Sequence, residues 1–328
     1  MTIDRDKLTD ALDTIEAEFH KLDDAQTAQA DVITLTNDRL NSLRTRLDGM
    51  GSALLDDFAA IDAKFTQLAA RVAKLEAPAL TPYVLKLGAP YYCSPDTATV
   101  KRWATLLAKG PGKVGLAVFN PSTGPGSVAN APYQQVLAQI KAAGIPSGVY
   151  VPSGYLDQYG YGGGLMVSPD GVMRGPANVQ NILDEITRAL TWYPADWVFL
   201  DEMNTKTDNP VVFSTMLKIR DHVRSLGAKV CWNPGTGFLE SAMPLGDLFM
   251  RFEGGTLAKY MAFVPPAWHA KYPGKMWDCC YAIPSADMAA LVAKAKANKA
   301  ALLWCTDDGD SNVYNSYPTY LDSLCAGL

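Results

Sequence analysis

The chain has 328 residues but only three histidines, His20, His222 and His269, and they lie far apart. That scarcity argues against a histidine-rich metal site. Six cysteines are present and none is in a CxxC spacing, which argues against both a zinc site and a disulfide framework. The expectation is buried free thiols made in a reducing compartment. No apolar run approaches the roughly 18 residues a membrane-spanning helix needs. The N-terminus, MTIDRDKLTD, lacks a basic stretch followed by an apolar one, so no secretory signal is expected. No polybasic run occurs, and the formal net charge is −5, so neither nucleic acid nor an anionic membrane surface is an expected partner. A glycine-rich phosphate loop after an early strand is also missing. That counts against the open doubly wound sheet, the alternative to the fold preferred below.

Residues 1–76 lack proline and contain just two glycines, Gly49 and Gly51. This segment is acidic, with 15 Asp/Glu against 9 Lys/Arg. Apolar positions recur at a 3,4 spacing through Leu8, Leu12, Ile15, Phe19 and Leu22. The register continues through Gln26, Gln29, Ile33, Thr36, Leu40, Leu43, Leu47, Met50 and Leu54. A seam this long predicts a coiled coil, which must associate with partner chains to bury it. After Leu54 a 4,4 step to Phe58 and Ile61 reads as a stutter that locally relaxes the supercoil. Gln26, Gln29 and Thr36 at seam positions fix register and strand number. We take a homotrimer as the expected state, with a dimer as the alternative. Residues 77–82, with Pro78 and Pro82, end the helix and form a linker.

From residue 83 to 328 short β-branched and aromatic runs alternate with amphipathic stretches. Strands are predicted at Tyr83–Leu87, Val114–Phe119, Ser147–Val151, Trp197–Leu200, Lys229–Trp232, Leu248–Phe252, Met276–Tyr281 and Ala301–Cys305. Eight strands alternating with helices over roughly 250 residues predict a (β/α)8 barrel of the TIM type. Active sites of such barrels lie at the C-terminal strand ends. The residues at or just past the predicted strands are Tyr91 and Tyr92, Asn120, Tyr155, Asp201 and Glu202, Asn233, Glu253, and Asp307, Asp308 and Asp310. Asp201, Glu202 and Glu253 are the candidate catalytic group. Paired carboxylates without metal ligands suit general acid and base work on a glycosidic bond, because a close anionic neighbour keeps one of them protonated.

Neighbouring strand residues face opposite sides, so Asp201 and Glu202 cannot both face the barrel axis while the strand stays regular. Glu253 shares parity with Arg251. An arginine fits the lumen better than the layer under the helices, so Glu253 is predicted to point inwards with it. A bland reading competes throughout: strand ends are often polar, Asp201 caps a loop and Glu253 pairs with an arginine. Candidate substrate-binding residues are Tyr91, Tyr92, Asn120, Tyr155, Asn233 and Trp232. In the long loop 153–175, Tyr155, Tyr159 and Tyr161 are candidates for a sugar-stacking platform, against the alternative of a self-packed surface loop. The segment TDDGDSN, 306–312, departs from the calcium-loop spacing and reads as an Asp-Gly turn. No cofactor and no metal are expected.

Several stretches resemble one family in order along the chain. They are VGLAVFNPSTGPG (114–126), IPSGVYVPSGY (145–155), WVFLDEM (197–203), VCWNPGT (230–236) and MRFEG (250–254). The family is that of the spherulin-4-like (spherulation-specific family 4) glycoside hydrolases. The resemblance is good over about 83–260 and weak over the last two strands. It implies a (β/α)8 fold and cleavage of an amino-sugar polysaccharide such as galactosaminogalactan. It also implies an acidic pair at Asp201 and Glu202, a third acid at Glu253, and asparagines at Asn120 and Asn233. The Tyr/Gly-rich loop and the N-terminal coiled coil depart from the family's secreted members. A multimeric stalk joined to a glycosidase-like head is similar in layout to minor tail proteins of actinobacteriophages. That layout implies a virion-borne hydrolase acting on a host surface polysaccharide beside other tail proteins. A sugar-binding adhesin without catalysis, and a structural tail component, are the alternatives. Retaining and inverting chemistry stay open at this stage.

Overall fold

In the computed structural model, residues 84–156, 174, 178–309 and 313–328 are described, together with short helical stretches at 9–10, 13–14 and 38–42. The chain divides into two units, Met1–Thr81 and Pro82–Leu328. The expected coiled coil, its oligomeric state and the linker at 77–82 fall almost wholly outside the described residues.

The second unit is a closed, all-parallel barrel of eight strands in sequence order: β1 (Lys86–Pro90), β2 (Val114–Phe119), β3 (Ser147–Pro152), β4 (Trp197–Asp201), β5 (Lys229–Trp232), β6 (Leu248–Gly255), β7 (Met276–Tyr281) and β8 (Leu302–Cys305). β8 returns to β1 through Lys86 opposite Leu302 and Leu87 opposite Leu303. The helices are α1 (Arg102–Leu107), α2 (Ala131–Ala142), α3 (Val179–Trp192), α4 (Pro210–Ser225), α5 (Leu257–Ala262), α6 (Met288–Ala297) and α7 (Leu321–Gly327). Between β5 and β6 the chain makes only a 3-10 turn, Glu240–Leu245. Local chemistry sets these starts: α4 opens on Asn209, whose side chain accepts from Val211 N at 2.9 Å, with Pro210 in the first turn. All six cysteines are buried and free.

Strands buried on both faces read as continuous apolar runs, which is why most boundaries were visible in the sequence. β1 is the exception. It lies three residues later than predicted, because Pro90 is tolerated as its last residue and Tyr91 N still bonds Val118 O at 2.8 Å. The lumen is packed solid. A Cβ on Gly88 would sit 2.7 Å from Trp277 and 2.8 Å from Leu302, so only glycine fits there. Above this layer Trp277 meets the edge of Phe199, and Phe199 stacks on Tyr150. This apolar column forms the dry floor of the barrel mouth.

One irregularity in β6 decides what reaches that mouth. Met250 is opposite Trp277 and Phe252 opposite Asp278, leaving Arg251 as an extra residue in a β-bulge. The expected lumenal Arg251 is therefore corrected. Its guanidinium lies under the helices, bonding Asp278 at 2.8 and 3.0 Å and Asn298 O at 2.9 Å, with Tyr260 of α5 also donating to Asp278 at 2.5 Å. The bulge resets parity, so Phe252 packs on Tyr260 and Phe263 while Glu253 turns inwards.

Arg251 and Asp278 are both almost fully buried. Removing one partner strands the other charge, at a cost of about 3–5 kcal/mol. Arg251→Ala is expected to lower unfolding stability by that amount in chemical denaturation.

Candidate active site

Three strand ends converge on one side-chain amide. Asn233, directly after β5, donates from Nδ2 to Asp201 Oδ1 at 2.8 Å and to Glu253 Oε2 at 2.9 Å. Its own Oδ1 accepts from Gly235 N at 3.0 Å, which fixes which end of the amide faces the acids. The two bridged carboxylate oxygens can be no further apart than these two bonds laid end to end.

Each acid has further donors. Asp201 Oδ2 accepts from Tyr150 Oη at 2.9 Å, and its Oδ1 also accepts from Glu202 N at 2.9 Å. Glu253 Oε1 accepts a short bond from Tyr314 Oη, and the Cys279 thiol donates to that same phenol at 3.6 Å. Tyr92 lies between the two phenol rings, edge-on to Tyr150 at 5.4 Å and to Tyr314 at 5.3 Å. Asp201 keeps partial exposure at the cleft floor while protein surrounds most of its carboxyl group. Burial above all, then the negative charge of Glu253, pushes its pKa up to about 7, against the lowering by the Tyr150 and backbone hydrogen bonds.

Glu202 does not join this pair. Its backbone turns into the left-handed region at φ 60°, which ends β4 and sends its carboxylate sideways to accept from Gly154 N at 3.0 Å. Buried Ser153 clamps the turn, its hydroxyl bonding the carbonyls of Asp201 at 2.7 Å and Glu202 at 2.9 Å.

The other sequence candidates divide. Asn233 and Tyr92 line the carboxylate pair. Tyr91 does not: it is fully buried against Trp103 of α1, because the three-residue offset of β1 puts it on the outer face. Trp232 is likewise fully buried outside the lumen, its indole donating to Leu245 O at 2.8 Å. Asn120 is used in its own turn, accepting from Gly124 N at 3.0 Å. The Tyr155 backbone is bound, its N–H to Glu202 O at 2.7 Å and its carbonyl to Asn204 at 2.7 Å. Tyr159, Tyr161 and Asp310 lie outside the described residues. Asp307 and Asp308 are held within their own loop by Thr319 and Ser316. Sequence reasoning missed Tyr150 and Tyr314. Tyr150 sits inside a strand at lumenal parity, which was a usable signal. Tyr314 arrives from the segment after β8, where no periodicity pointed to the site. Among the described residues no cluster of His, Cys, Asp and Glu is arranged to hold a metal ion, and no helix is long and apolar enough to cross a membrane.

A parallel barrel with a hydrogen-bonded carboxylate pair at the C-terminal mouth is the layout of a barrel enzyme that works by acid and base groups. The sequence pattern of the spherulation-specific family 4 matches residues 86–328, and the chain belongs to that family. No curated protein matches it. Among solved structures, Aspergillus clavatus Sph3 in complex with GalNAc superposes with a TM-score of 0.60 and 16% identity, covering 75% of this chain and 98% of its own. Aspergillus fumigatus Ega3 in complex with galactosamine gives 0.42 and 10%, covering 71% and 92%. A GH18 chitinase from Pseudoalteromonas aurantia gives 0.38 and 8%, covering 64% and 92%. At 16% identity, the likeness to Sph3 establishes the shared fold.

The raised Asp201 has a stability consequence. Its folded pKa of about 7 lies above the ordinary 3.8, so the folded chain binds the extra proton between those values. Stability therefore falls as pH rises from about 4 to 7, and the full cost is present above 7. Asp201→Asn is expected to stabilise the protein at pH 8 by on the order of 2–4 kcal/mol, and by much less at pH 5. Thermal melts at the two pH values measure the difference.

Proposed function

We propose that the chain is a retaining glycoside hydrolase that cleaves an amino-sugar-containing polysaccharide, with Asp201 as general acid and Glu253 as nucleophile. The observation that carries this reading is the Asn233 bridge. It keeps the nearest oxygens of the two carboxylates close together, which favours a covalent glycosyl intermediate over a water held between acid and base. Family membership supports the reaction class. A barrel of the same fold, Sph3, has been crystallised with GalNAc, which supports an amino sugar as the substrate unit.

In the first step the protonated Asp201 gives its proton to the glycosidic oxygen as the bond to C1 breaks, and Glu253 forms an ester bond to C1. In the second, Asp201 takes a proton from water, which attacks C1 and releases Glu253. Tyr150 and Tyr314 keep the two acids oriented through both steps. Glu202 acts through the turn it anchors rather than on the sugar.

The heptad seam of residues 1–76 supports a trimeric stalk carrying this barrel, and the combination supports a place in a phage tail, with a host cell-surface polysaccharide as substrate and other tail proteins as neighbours. Light scattering on the full chain should give three times the monomer mass; a monomer would remove the stalk from this reading.

Purified full chain incubated with a galactosamine-containing polysaccharide is expected to release reducing ends. Asp201→Asn and Glu253→Gln should each lower the rate by about 10²–10⁴-fold. NMR of the first product should show the substrate's anomeric configuration. Binding of the glycan without release by the wild type would instead make the chain a carbohydrate-binding protein on a hydrolase fold.

A further inference from the structure

Three tyrosines span the barrel mouth, and their hydroxyls are not equivalent. The outer two are committed, Tyr150 to Asp201 and Tyr314 to Glu253. The middle one, Tyr92, has no hydrogen-bond partner among the described residues. Its ring is held firmly: both outer rings meet it edge to face, and its backbone N–H bonds Tyr314 O at 2.8 Å. Its position follows from the barrel order. Tyr92 follows β1, and Asn233 follows β5, four strands away and so on the opposite wall. Asp201 and Glu253 follow β4 and β6 and flank Asn233. Burial above all, with the negative charges of both acids, raises the Tyr92 phenol pKa well above its ordinary value and keeps it neutral.

Tyr92 is half-buried, so its phenol keeps access to the open cleft. A rigidly held phenol facing two acids is placed to bond a group that they act on. We propose that the Tyr92 hydroxyl is a catalytic group that hydrogen-bonds the substituent at C2 of the sugar, beside its anomeric carbon, from the wall opposite Asn233. This inference rests on the hydrolase reading. Asp201 and Glu253 work on the anomeric carbon and the leaving oxygen, so a group facing both of them lies beside that carbon. A hydrogen bond there steadies the ring against rotation between the acids, and bonds to the C2 substituent strengthen in an oxocarbenium-like transition state.

The inference makes Tyr92 differ from its neighbours in a measurable way. An open hydroxyl contributes nothing to folding, whereas a committed one does. Full-length wild type, Tyr92→Phe and Tyr150→Phe should be compared for thermal stability and for steady-state reducing-end release from a galactosamine-containing polysaccharide. Tyr92→Phe is expected to keep or raise the melting temperature while kcat falls about 10–100-fold, the loss of one transition-state hydrogen bond. Tyr150→Phe should lower the melting temperature, because Asp201 loses a donor. Wild-type kinetics in Tyr92→Phe would overturn the inference and leave the hydrolase reading standing. Loss of activity together with a drop in melting temperature matching that of Tyr150→Phe would also overturn it, by making Tyr92 structural. A wild type that releases no sugar would sink the hydrolase reading, and this inference with it.

Discussion

The site depends on one amide group sharing its two hydrogens between two acids. Side by side in a dry barrel mouth, two carboxylates repel each other and each loses its hydration. Asn233 Nδ2 carries two N–H donors and spends one on each acid. A carboxylate there would add a third negative charge, and an apolar residue would leave both acids short of a donor. The amide could be reversed in principle, but Gly235 N–H binds its oxygen and blocks that. The arrangement thus holds the acids close without neutralising either. Burial above all, and then that closeness, lift Asp201 to a pKa of about 7, where it can both give and take a proton near neutrality.

Everything beneath the pair serves to keep it dry and fixed. Trp277, Phe199 and Tyr150 stack upward from the filled lumen, so solvent reaches the acids only from the mouth. The phenols of Tyr150 and Tyr314 then meet the carboxylates from above the apolar layer, each aromatic in body and polar at its tip. Tyr314 matters for closure as well as for Glu253. Its carbonyl accepts from Tyr92 N, which ties the segment after β8 to the end of β1, where the barrel seam closes. Chain closure and site assembly share the same residue.

Much of this was legible in the sequence, for a physical reason. Parallel strands are buried on both faces, so each is an apolar run that stops where the chain emerges, and the first polar residue marks the rim. That logic located Asp201, Asn233 and Glu253 as rim residues. It failed where parity breaks. Arg251 was read as lumenal from its two-residue offset to Glu253, but the bulge inserts a residue at Arg251 and gives the two opposite faces. Glu253 reaches the mouth because of an irregularity that alternation cannot express. A similar failure placed Tyr91 and Trp232 in the site. With β1 shifted by three residues and β5 ending on Trp232, both aromatics fall on the helix-facing side, and their neighbours Tyr92 and Asn233 face the cleft. Tyr314 was out of reach because its role comes from closure between the two ends of the barrel, a long-range contact with no local periodicity.

The paired acids at the end of β4 are resolved by the backbone between them. A regular strand would have sent Glu202 into the helix layer, where an unpaired carboxylate is costly. Instead Glu202 takes a left-handed conformation, which costs a non-glycine residue on the order of 1–3 kcal/mol. The end of β3 offsets that strain. Ser153 binds both carbonyls of the turn, Tyr155 N binds the second of them, and Gly154 N binds the Glu202 carboxylate. Gly154, Tyr155 and Leu156 are themselves left-handed, at φ 60°, 54° and 51°, so two strained rims hold each other in place. Neither turn has an evident reason to exist alone. Together they end β4 at Asp201 and bring Glu202 N–H back onto the Asp201 carboxylate. The second acid of the pair therefore acts on the first: its backbone hydrogen-bonds Asp201, and its side chain holds the backbone of Gly154 just past β3.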